Sequence, residues 1–254
     1  MSAYSSDVGA DTCWPIEATR RMNRMYRWQR HIYNGTRRYY LLGRNQLIAG
    51  LLPAAGASVL EIGCGTGRNL VLAARLYPDA RFFGIDVSTE MLTSAITAIS
   101  RRGLTRSIRV AHGDGTAFDP QLLFGLPSFD HVMISYSLSM IPDWRRVLEA
   151  AASHLKPGGR LHIVDFGNQE RLPGLARALL LRWLAMFDVT PRDDLELVLS
   201  GLAGTANANL KFERPFRGYA QYAVLTLATQ PRIPWARGLH LLRPACLRSS
   251  GPSA

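Results

Sequence analysis

Three glycines at alternate positions form the strongest candidate binding motif in the sequence. Gly63, Gly65 and Gly67 follow the β-rich run 58–62 and precede a helical pattern at 68–76. Glycine adopts positive φ at little cost and lets a ligand lie against the backbone, while a helix start offers unpaired N–H groups. A dinucleotide site needs its third glycine one position later, where this chain has Arg68. The spacing therefore argues against NAD and FAD.

Acidic residues end the next two predicted strands. Asp86 stands 19 residues after Gly67, and Asp114 lies in the His-Gly-Asp-Gly run that follows the third strand. A carboxylate at the end of a second strand can accept hydrogen bonds from both hydroxyls of a ribose. An isolated glycine loop could be a simple turn. Acids arriving in register after both strands favour a nucleoside-containing cofactor instead.

Strand and helix patterns alternate along the chain and must position these residues. Strands are predicted at 58–62, 81–85, 108–111, 130–135 and 160–165, and helices at 68–76, 89–100, 144–154 and 175–186. The segment 156–159, Lys-Pro-Gly-Gly, predicts a turn, and 210–213 and 219–228 predict two strands close enough to pair as a hairpin. This order predicts an α/β fold in which helices cover both faces of a mostly parallel sheet.

Composition limits the possible partners and compartment. The 254-residue chain has a net charge of +11, which favours anionic partners. Its cysteines, Cys13, Cys64 and Cys246, are far apart, and its histidines lack metal-ligand spacing, so free thiols and no metal are expected. No signal peptide and no apolar run of about 20 residues is evident. We expect a cytoplasmic protein whose contact with a membrane is at most peripheral.

The chain divides into four predicted parts: a flexible leader at 1–17, an N-terminal helical cap at 18–55, the α/β domain at 56–229 and a basic tail at 230–254. The cap is broken by Asn34-Gly35, and its stretch 24–44 holds six arginines, five aromatic residues and no acid. Nucleic acid, a membrane surface and an anionic small substrate all suit that composition.

The segment 59–69, together with the acids in register, resembles the glycine motif of class I S-adenosylmethionine-dependent methyltransferases. The resemblance implies a Rossmann-like fold with a seven-stranded sheet and an antiparallel C-terminal hairpin. It implies that the loop holds the methionine part of S-adenosylmethionine with help from Glu61, that Asp86 holds the ribose and that Asp114 meets the adenine. The cofactor-binding residues implied are Glu61, Gly63, Cys64, Gly65, Gly67, Asp86, Val87, Asp114, Gly115, Ser135 and Tyr136.

Stretches outside that core resemble a narrower group, the bacterial N-methyltransferases of betaine-lipid synthesis. They are 26–33, 36–44, 136–144 and 161–167, and the chain departs from that family at Asn34-Gly35 and Asn45. The resemblance implies trimethylation of the homoserine amine of diacylglycerylhomoserine. Tyr33, Tyr40 and Arg44 are the expected substrate contacts.

Two polar residues near the predicted sulfonium position are candidates for the chemistry. Methyl transfer is a direct displacement that needs chiefly orientation of the acceptor. Tyr136 could bind the substrate amine or carboxylate or simply line the pocket, and Asp165 ends the fifth strand, where ligands bind in such sheets. We therefore name Tyr136 and Asp165 as catalytic candidates.

The cap helix predicts where the substrate is met. On a helical wheel its basic side opposes an aromatic, apolar side, which suits a helix lying on the anionic inner face of a membrane; the basic residues are Arg20, Arg24, Arg27, Arg30 and His31. Alternatively, the apolar side packs on the domain and the arginines are merely solvated. An RNA or small-molecule methyltransferase is the second hypothesis, although the Asp/Asn-Pro-Pro-aromatic marker of amino-group nucleic-acid enzymes is absent from 135–142. A third is a cofactor-binding protein without catalysis.

Overall fold

The structure, a computed structural model, describes residues 41–229. The predictions for the leader, for the cap up to residue 40 and for the basic tail lie outside the described residues. Tyr33, Tyr40 and Asn34-Gly35 are among the positions that fall there.

The described residues contain seven helices of five or more residues and seven strands. The helices are α1 Arg44–Ala49, α2 Arg68–Leu76, α3 Thr89–Ser100, α4 Pro120–Phe124, α5 Trp144–Ser153, α6 Gly174–Ala185 and α7 Leu195–Thr205. The strands are β1 Ser58–Ile62, β2 Arg81–Asp86, β3 Ile108–His112, β4 Phe129–Ser135, β5 Leu155–Phe166, β6 Ala208–Glu213 and β7 Ala220–Leu227. A 3-10 turn, Leu138–Met140, follows β4, and a tight turn, Pro215–Gly218, joins β6 to β7.

All seven strands join one sheet in the order β3-β2-β1-β4-β5-β7-β6. The first five run parallel, whereas β7 runs antiparallel to both β5 and β6. This confirms the predicted Rossmann-like fold with an antiparallel C-terminal hairpin. The chain leaves β1 first towards β2 and β3 and later towards β4 and β5, so the direction of winding reverses between β1 and β4. Ligands of such sheets bind beyond the carboxyl ends of the strands at that reversal.

Helices on both faces bury the sheet, as the continuous apolar strands require. Every residue of β1 is buried, and the core separates into two clusters. One contains Leu70 of α2 and Leu184 of α6, and the other contains Val147 of α5 and Leu199 of α7. The described part of the predicted cap packs into the first cluster through α1 and the residue Leu51.

The predicted turn at 156–159 is a bulge inside β5. Phe129 pairs with Leu155 and His131 with Arg160, so the extra residues of β5 loop out between two neighbouring pairs. Gly158, at φ +77°, supplies the left-handed conformation that the loop needs. The prediction identified the local bend correctly. It missed that the strand begins before the bend, where Leu155 already pairs with Phe129.

Two helices were not predicted. Helix α4 is short and begins at Pro120. The preceding residue, Asp119, caps it, because its carboxylate accepts hydrogen bonds from the N–H groups of Gln121 and Leu122. Helix α7 contains two glycines, which lower its intrinsic propensity, and it is stabilised by burying Leu195, Leu199 and Ala203 at helical spacing. Across residues 41–229, no helix combines the length and apolar character needed to cross a membrane.

Candidate functional site

The glycine loop after β1 has the backbone shape that the sequence predicted. Gly63, Gly65 and Gly67 all have positive φ, at 73°, 53° and 70°. A Cβ placed on Gly63 would lie only 2.7 Å from the Cβ of Ser137, so this loop is pressed against the end of β4. All three glycines are therefore favoured by conformation, and Gly63 is also required by the close approach of the loops that follow β1 and β4.

Asp86, at the carboxyl end of β2, holds this loop in place. Its Oδ2 accepts a hydrogen bond from the Gly65 N–H at 2.7 Å, and its Oδ1 accepts one from the Ser88 N–H at 2.9 Å. The residue is 9% exposed, so the carboxylate lies at the boundary of the core and solvent. A carboxylate oxygen can accept more than one hydrogen bond. Asp86 can thus shape the loop and still accept hydrogen bonds from ligand hydroxyls.

Glu61 connects β1 to the first turn of α2. The side chain is buried, and its Oε1 accepts a hydrogen bond from the Asn69 Nδ2 at 2.7 Å. The two residues lie on either side of the glycine loop, so their bond closes the loop at its base. Sequence reasoning named Glu61 and missed Asn69, although an amide just inside the helix start was a usable signal.

Cys64 lies in the loop but directs its thiol into the protein. The side chain is buried against β2, where a Cβ on Gly84 would approach the Cys64 sulfur to 2.9 Å. Burial raises the pKa of the Cys64 thiol, and the nearby charges of Asp86 and Glu61 raise it further. The thiol is therefore neutral and serves packing, and only the backbone of Cys64 faces the loop.

Asp114 and Gly115 bring the end of β3 to the same edge. The Asp114 Oδ1 accepts a hydrogen bond from the Thr116 N–H at 2.8 Å, which stabilises a turn at the end of β3. A Cβ on Gly115 would lie 2.6 Å from the Ile62 side chain, so that turn packs directly against the end of β1. Val87 follows β2 on this edge, and its carbonyl contacts the His112 ring at 3.2 Å.

Ser135 and Tyr136 end β4 on the other side of the reversal. Both are buried, and Tyr136 has a positive φ of 56°, a strained conformation for a bulky residue. Its hydroxyl donates a hydrogen bond to the Leu42 carbonyl, and its ring packs edge-on against Phe166 at 4.6 Å between centroids. Burial raises the pKa of Tyr136, with Tyr219 and Asp165 adding to the increase. The phenol therefore stays protonated and anchors the segment before α1.

Asp165 is a fully buried carboxylate at the end of β5. Its Oδ1 accepts a hydrogen bond from the Phe166 N–H at 2.7 Å, and its Oδ2 accepts one from the Ser139 N–H at 3.3 Å. Burial raises the pKa of Asp165, while these hydrogen bonds oppose the increase. The residue joins β5 to the 3-10 turn after β4 and lies within electrostatic reach of Tyr136.

Arg44 reaches this cluster from α1. It is buried at the first position of that helix, two residues after Leu42, whose carbonyl accepts the hydrogen bond from the Tyr136 hydroxyl. The charge of Arg44 opposes the rise in the Tyr136 pKa. Gly43, at φ +82°, lies against Val164 of β5, so α1 begins beside the end of that strand. Arg44, Tyr136 and Asp165 therefore meet at one edge of the sheet.

Sequence reasoning missed Arg192 and Gln221, which support this edge from later in the chain. Arg192 donates hydrogen bonds to the carbonyls of Leu138 and Ile141 at 3.1 and 2.8 Å. The Gln221 amide donates to the carbonyls of Phe166 and Arg192 at 3.1 and 2.9 Å. No local motif surrounds either residue, because their partners are brought together only by the sheet. Within residues 41–229, no group of three or more metal-ligating side chains could hold a metal ion.

Known proteins match both the sequence and the fold. Residues 59–159 match the family model described as a methyltransferase domain. A demethylmenaquinone methyltransferase of Listeria monocytogenes is 32% identical over 120 residues, which is 47% of this chain and 48% of that protein. An O-methyltransferase of Penicillium expansum is 32% identical over 151 residues, 59% of this chain and 52% of that protein. The chain thus spans about half the length of the curated relatives it matches.

A solved structure extends the likeness to the fold. Phosphoethanolamine N-methyltransferase 2 of Haemonchus contortus, in complex with S-adenosylmethionine, superposes with a TM-score of 0.58 at 17% identity. The match covers 73% of this chain and 53% of that chain. At this identity the likeness concerns the fold alone.

Proposed function

We propose that this chain, whose residues 59–159 form a methyltransferase domain, is an S-adenosylmethionine-dependent methyltransferase. The observation that carries the proposal is the loop of left-handed glycines after β1, held by the Asp86 carboxylate beside the reversal between β1 and β4. This is the place where an α/β sheet receives a nucleoside-containing ligand.

The residues at this edge fit such a cofactor. The backbone of the glycine loop and Glu61 would hold its methionine part, Asp86 its ribose, and Asp114 its adenine. Bound S-adenosylmethionine supplies an electrophilic methyl group on a sulfonium. The protein's own task is then to orient an acceptor beside Ser135 and Tyr136 and to exclude water from that position.

For the acceptor, we propose the homoserine amine of diacylglycerylhomoserine, methylated to the trimethylhomoserine betaine lipid. The homoserine headgroup carries a carboxylate and an amine. The cluster at the edge of the sheet offers complementary groups: the Arg44 guanidinium for the carboxylate, and the Asp165 carboxylate for the amine. Tyr33 and Tyr40 would complete the pocket. Tyr136, whose phenol is protonated, would orient these groups without acting as a base.

The location follows from the lipid acceptor. We propose that the protein is cytoplasmic and associates peripherally with the inner membrane face, where its basic cap meets anionic lipid. The experiment also tests a lipophilic quinol as a second methyl acceptor, because the chain is 32% identical to a demethylmenaquinone methyltransferase over the matched residues. Both acceptors are membrane lipids, which separates them from the RNA hypothesis.

The test is methyl transfer from labelled S-adenosylmethionine by the purified chain. Diacylglycerylhomoserine, demethylmenaquinol and RNA are offered separately, and mass spectrometry follows mass added in methyl steps. We expect transfer to the homoserine lipid at a rate that falls at low pH, because a protonated amine has no lone pair. Transfer only to the quinol would replace the acceptor and keep the reaction class. Absence of transfer to all three, with cofactor binding intact, would favour a protein that binds the cofactor without catalysis.

A further inference from the structure

Helix α6 carries apolar side chains on the face that points away from the protein. Of its own residues only Leu184 is buried, whereas Leu175, Leu179 and the following residue Met186 are 77%, 62% and 66% exposed. At about 100° per residue, these three side chains fall within roughly 40° of one another and about 160° from Leu184. We call Leu175, Leu179 and Met186 the α6 stripe.

Exposed arginines flank the α6 stripe. Arg182 lies beside it on the helix, and Arg171 precedes the helix. The Arg171 N–H donates a hydrogen bond to the Arg217 carbonyl at 3.3 Å, which brings the turn between β6 and β7 to the same region. That turn adds the exposed ring of Phe216. No acidic residue occurs between Arg171 and Phe187, and Glu170 and Asp188 stand immediately on either side of that span. Glu170 pairs with Arg214 at 3.6 Å. The three arginines within the span outnumber these two acids, so the surface is apolar with an excess of positive charge.

Both ends of α6 are tied to the edge of the sheet that holds the candidate site. The helix begins a few residues after Phe166, the last residue of β5. After it, the Thr190 N–H donates a hydrogen bond to the Ser139 carbonyl at 2.9 Å, and Leu184 belongs to the same core cluster as Tyr136. The α6 stripe is therefore the outer surface of an element anchored to the candidate site on its inner side.

We propose that the α6 stripe docks on an anionic lipid bilayer, with its apolar side chains in the interface and its arginines at the phosphates. Charge favours this occupant over most of the alternatives. The stretch 18–40 and the tail 230–254 are poor candidates because they contain arginines and no acid. The stretch 1–17 carries Asp7, Asp11 and Glu17, so its occupation of the stripe is kept as an outcome of the test, in which the stripe variant and the parent would bind vesicles equally. A second copy would place the same arginines against each other. Anionic lipid satisfies both the apolar and the basic parts.

This inference rests on the proposed function for its purpose, because docking through α6 would bring the candidate site close to a lipid acceptor. Its test does not require catalysis. The 254-residue chain is sedimented with vesicles of phosphatidylglycerol and phosphatidylcholine and, separately, with vesicles of phosphatidylcholine alone. We expect binding to the anionic vesicles that weakens with added salt.

Two variants make the test specific. The triple change Leu175→Ser, Leu179→Ser and Met186→Ser should weaken binding to anionic vesicles at least tenfold. The matched control changes three exposed apolar residues on other helices, Ile96, Leu122 and Leu197, to Ser and should bind like the parent. Thermal unfolding of both variants, measured without lipid, checks that each is folded.

The outcomes separate the inference from the proposed function. Equal binding of the stripe variant and the parent, or no binding by the parent, overturns docking through α6. Conversion of a dimeric parent to a monomer by the stripe substitutions, seen by light scattering, would assign the stripe to a second copy instead. Methyl transfer to a soluble short-chain acceptor is measured in parallel, so loss of docking with retained transfer overturns only this inference. Absent transfer with stripe-dependent docking overturns only the proposed function.

Discussion

Replacing Asp86 with Asn changes one oxygen of a side chain that serves both the glycine loop and the proposed ribose site. In the structure, its two oxygens accept hydrogen bonds from the Gly65 N–H at 2.7 Å and the Ser88 N–H at 2.9 Å. An amide has one acceptor oxygen and a nitrogen that only donates. The Asn variant can therefore satisfy one of these backbone groups, and the other is left facing a donor.

The magnitude follows from the charge and the burial of this group. A hydrogen bond to a charged partner contributes about 1.5–3 kcal/mol, so loss of one from a bound ribose corresponds to about a ten- to hundredfold weaker Kd. A buried N–H without an acceptor costs about 1–3 kcal/mol of folding stability. We expect Asp86→Asn to lower both cofactor affinity and the free energy of unfolding.

Isothermal titration with S-adenosylmethionine measures the affinity, and urea unfolding without ligand measures the stability. Asp119→Asn controls for the same chemical change away from the glycine loop, because the Asp119 Oδ1 accepts hydrogen bonds from two backbone N–H groups at the start of α4 and an amide oxygen can accept both. That variant should bind the cofactor like the parent. An unchanged Kd for Asp86→Asn in a folded protein would refute the assignment of Asp86 to the ribose.

Three further predictions test the glycine loop, the buried His162 of β5 and the anchoring phenol of Tyr136. Gly63→Ala should lower the free energy of unfolding by about 1–3 kcal/mol. Gly103→Ala should lower it less, because Gly103 also has a positive φ but a Cβ added there would have no neighbour within 4 Å. Burial, followed by nearby positive groups, lowers the His162 pKa from 6.5 to about 3, so only the unfolded chain is protonated between these values and stability should decrease as pH falls below 6.5. His162→Gln should flatten that slope in urea titrations at several pH values, and an unchanged slope would contradict the pKa. Tyr136→Phe should cost about 0.5–1.5 kcal/mol by removing the bond to the Leu42 carbonyl, yet leave the pH dependence of turnover unchanged, whereas a shifted profile would restore a role for the phenol in proton transfer.

Features set by short stretches of sequence were predicted well. The positive φ of Gly63, Gly65 and Gly67 follows from residue type and position between a strand and a helix. The placement of Asp86 at the end of β2 follows from the alternation of strands and helices, because carboxyl ends of parallel strands share an edge. Such features need only local propensity and the general geometry of parallel sheets.

Features that depend on distant partners were not predicted. Arg192 and Gln221 support the edge through backbone carbonyls far away in sequence, and neither has a motif around it. The hydrogen bond from the Tyr136 hydroxyl to the Leu42 carbonyl was likewise not predicted, because the two residues are far apart in sequence. Helix α7 was missed because burial on the sheet outweighs the low propensity of its glycines. In each case the tertiary contact determines the outcome.

The order of strands in the sheet also constrains how the chain can be completed during synthesis. Strand β7 is the last strand of the described residues, yet it lies between β5 and β6. Until it emerges from the ribosome, one edge of β5 has no partner, and β6 has no neighbour in the sheet. An unpaired apolar edge such as that around Leu161 and Ile163 invites pairing with another chain. The nascent domain therefore passes through a stage with an open edge, and the closing strand arrives after every residue of the cofactor loop has already been made.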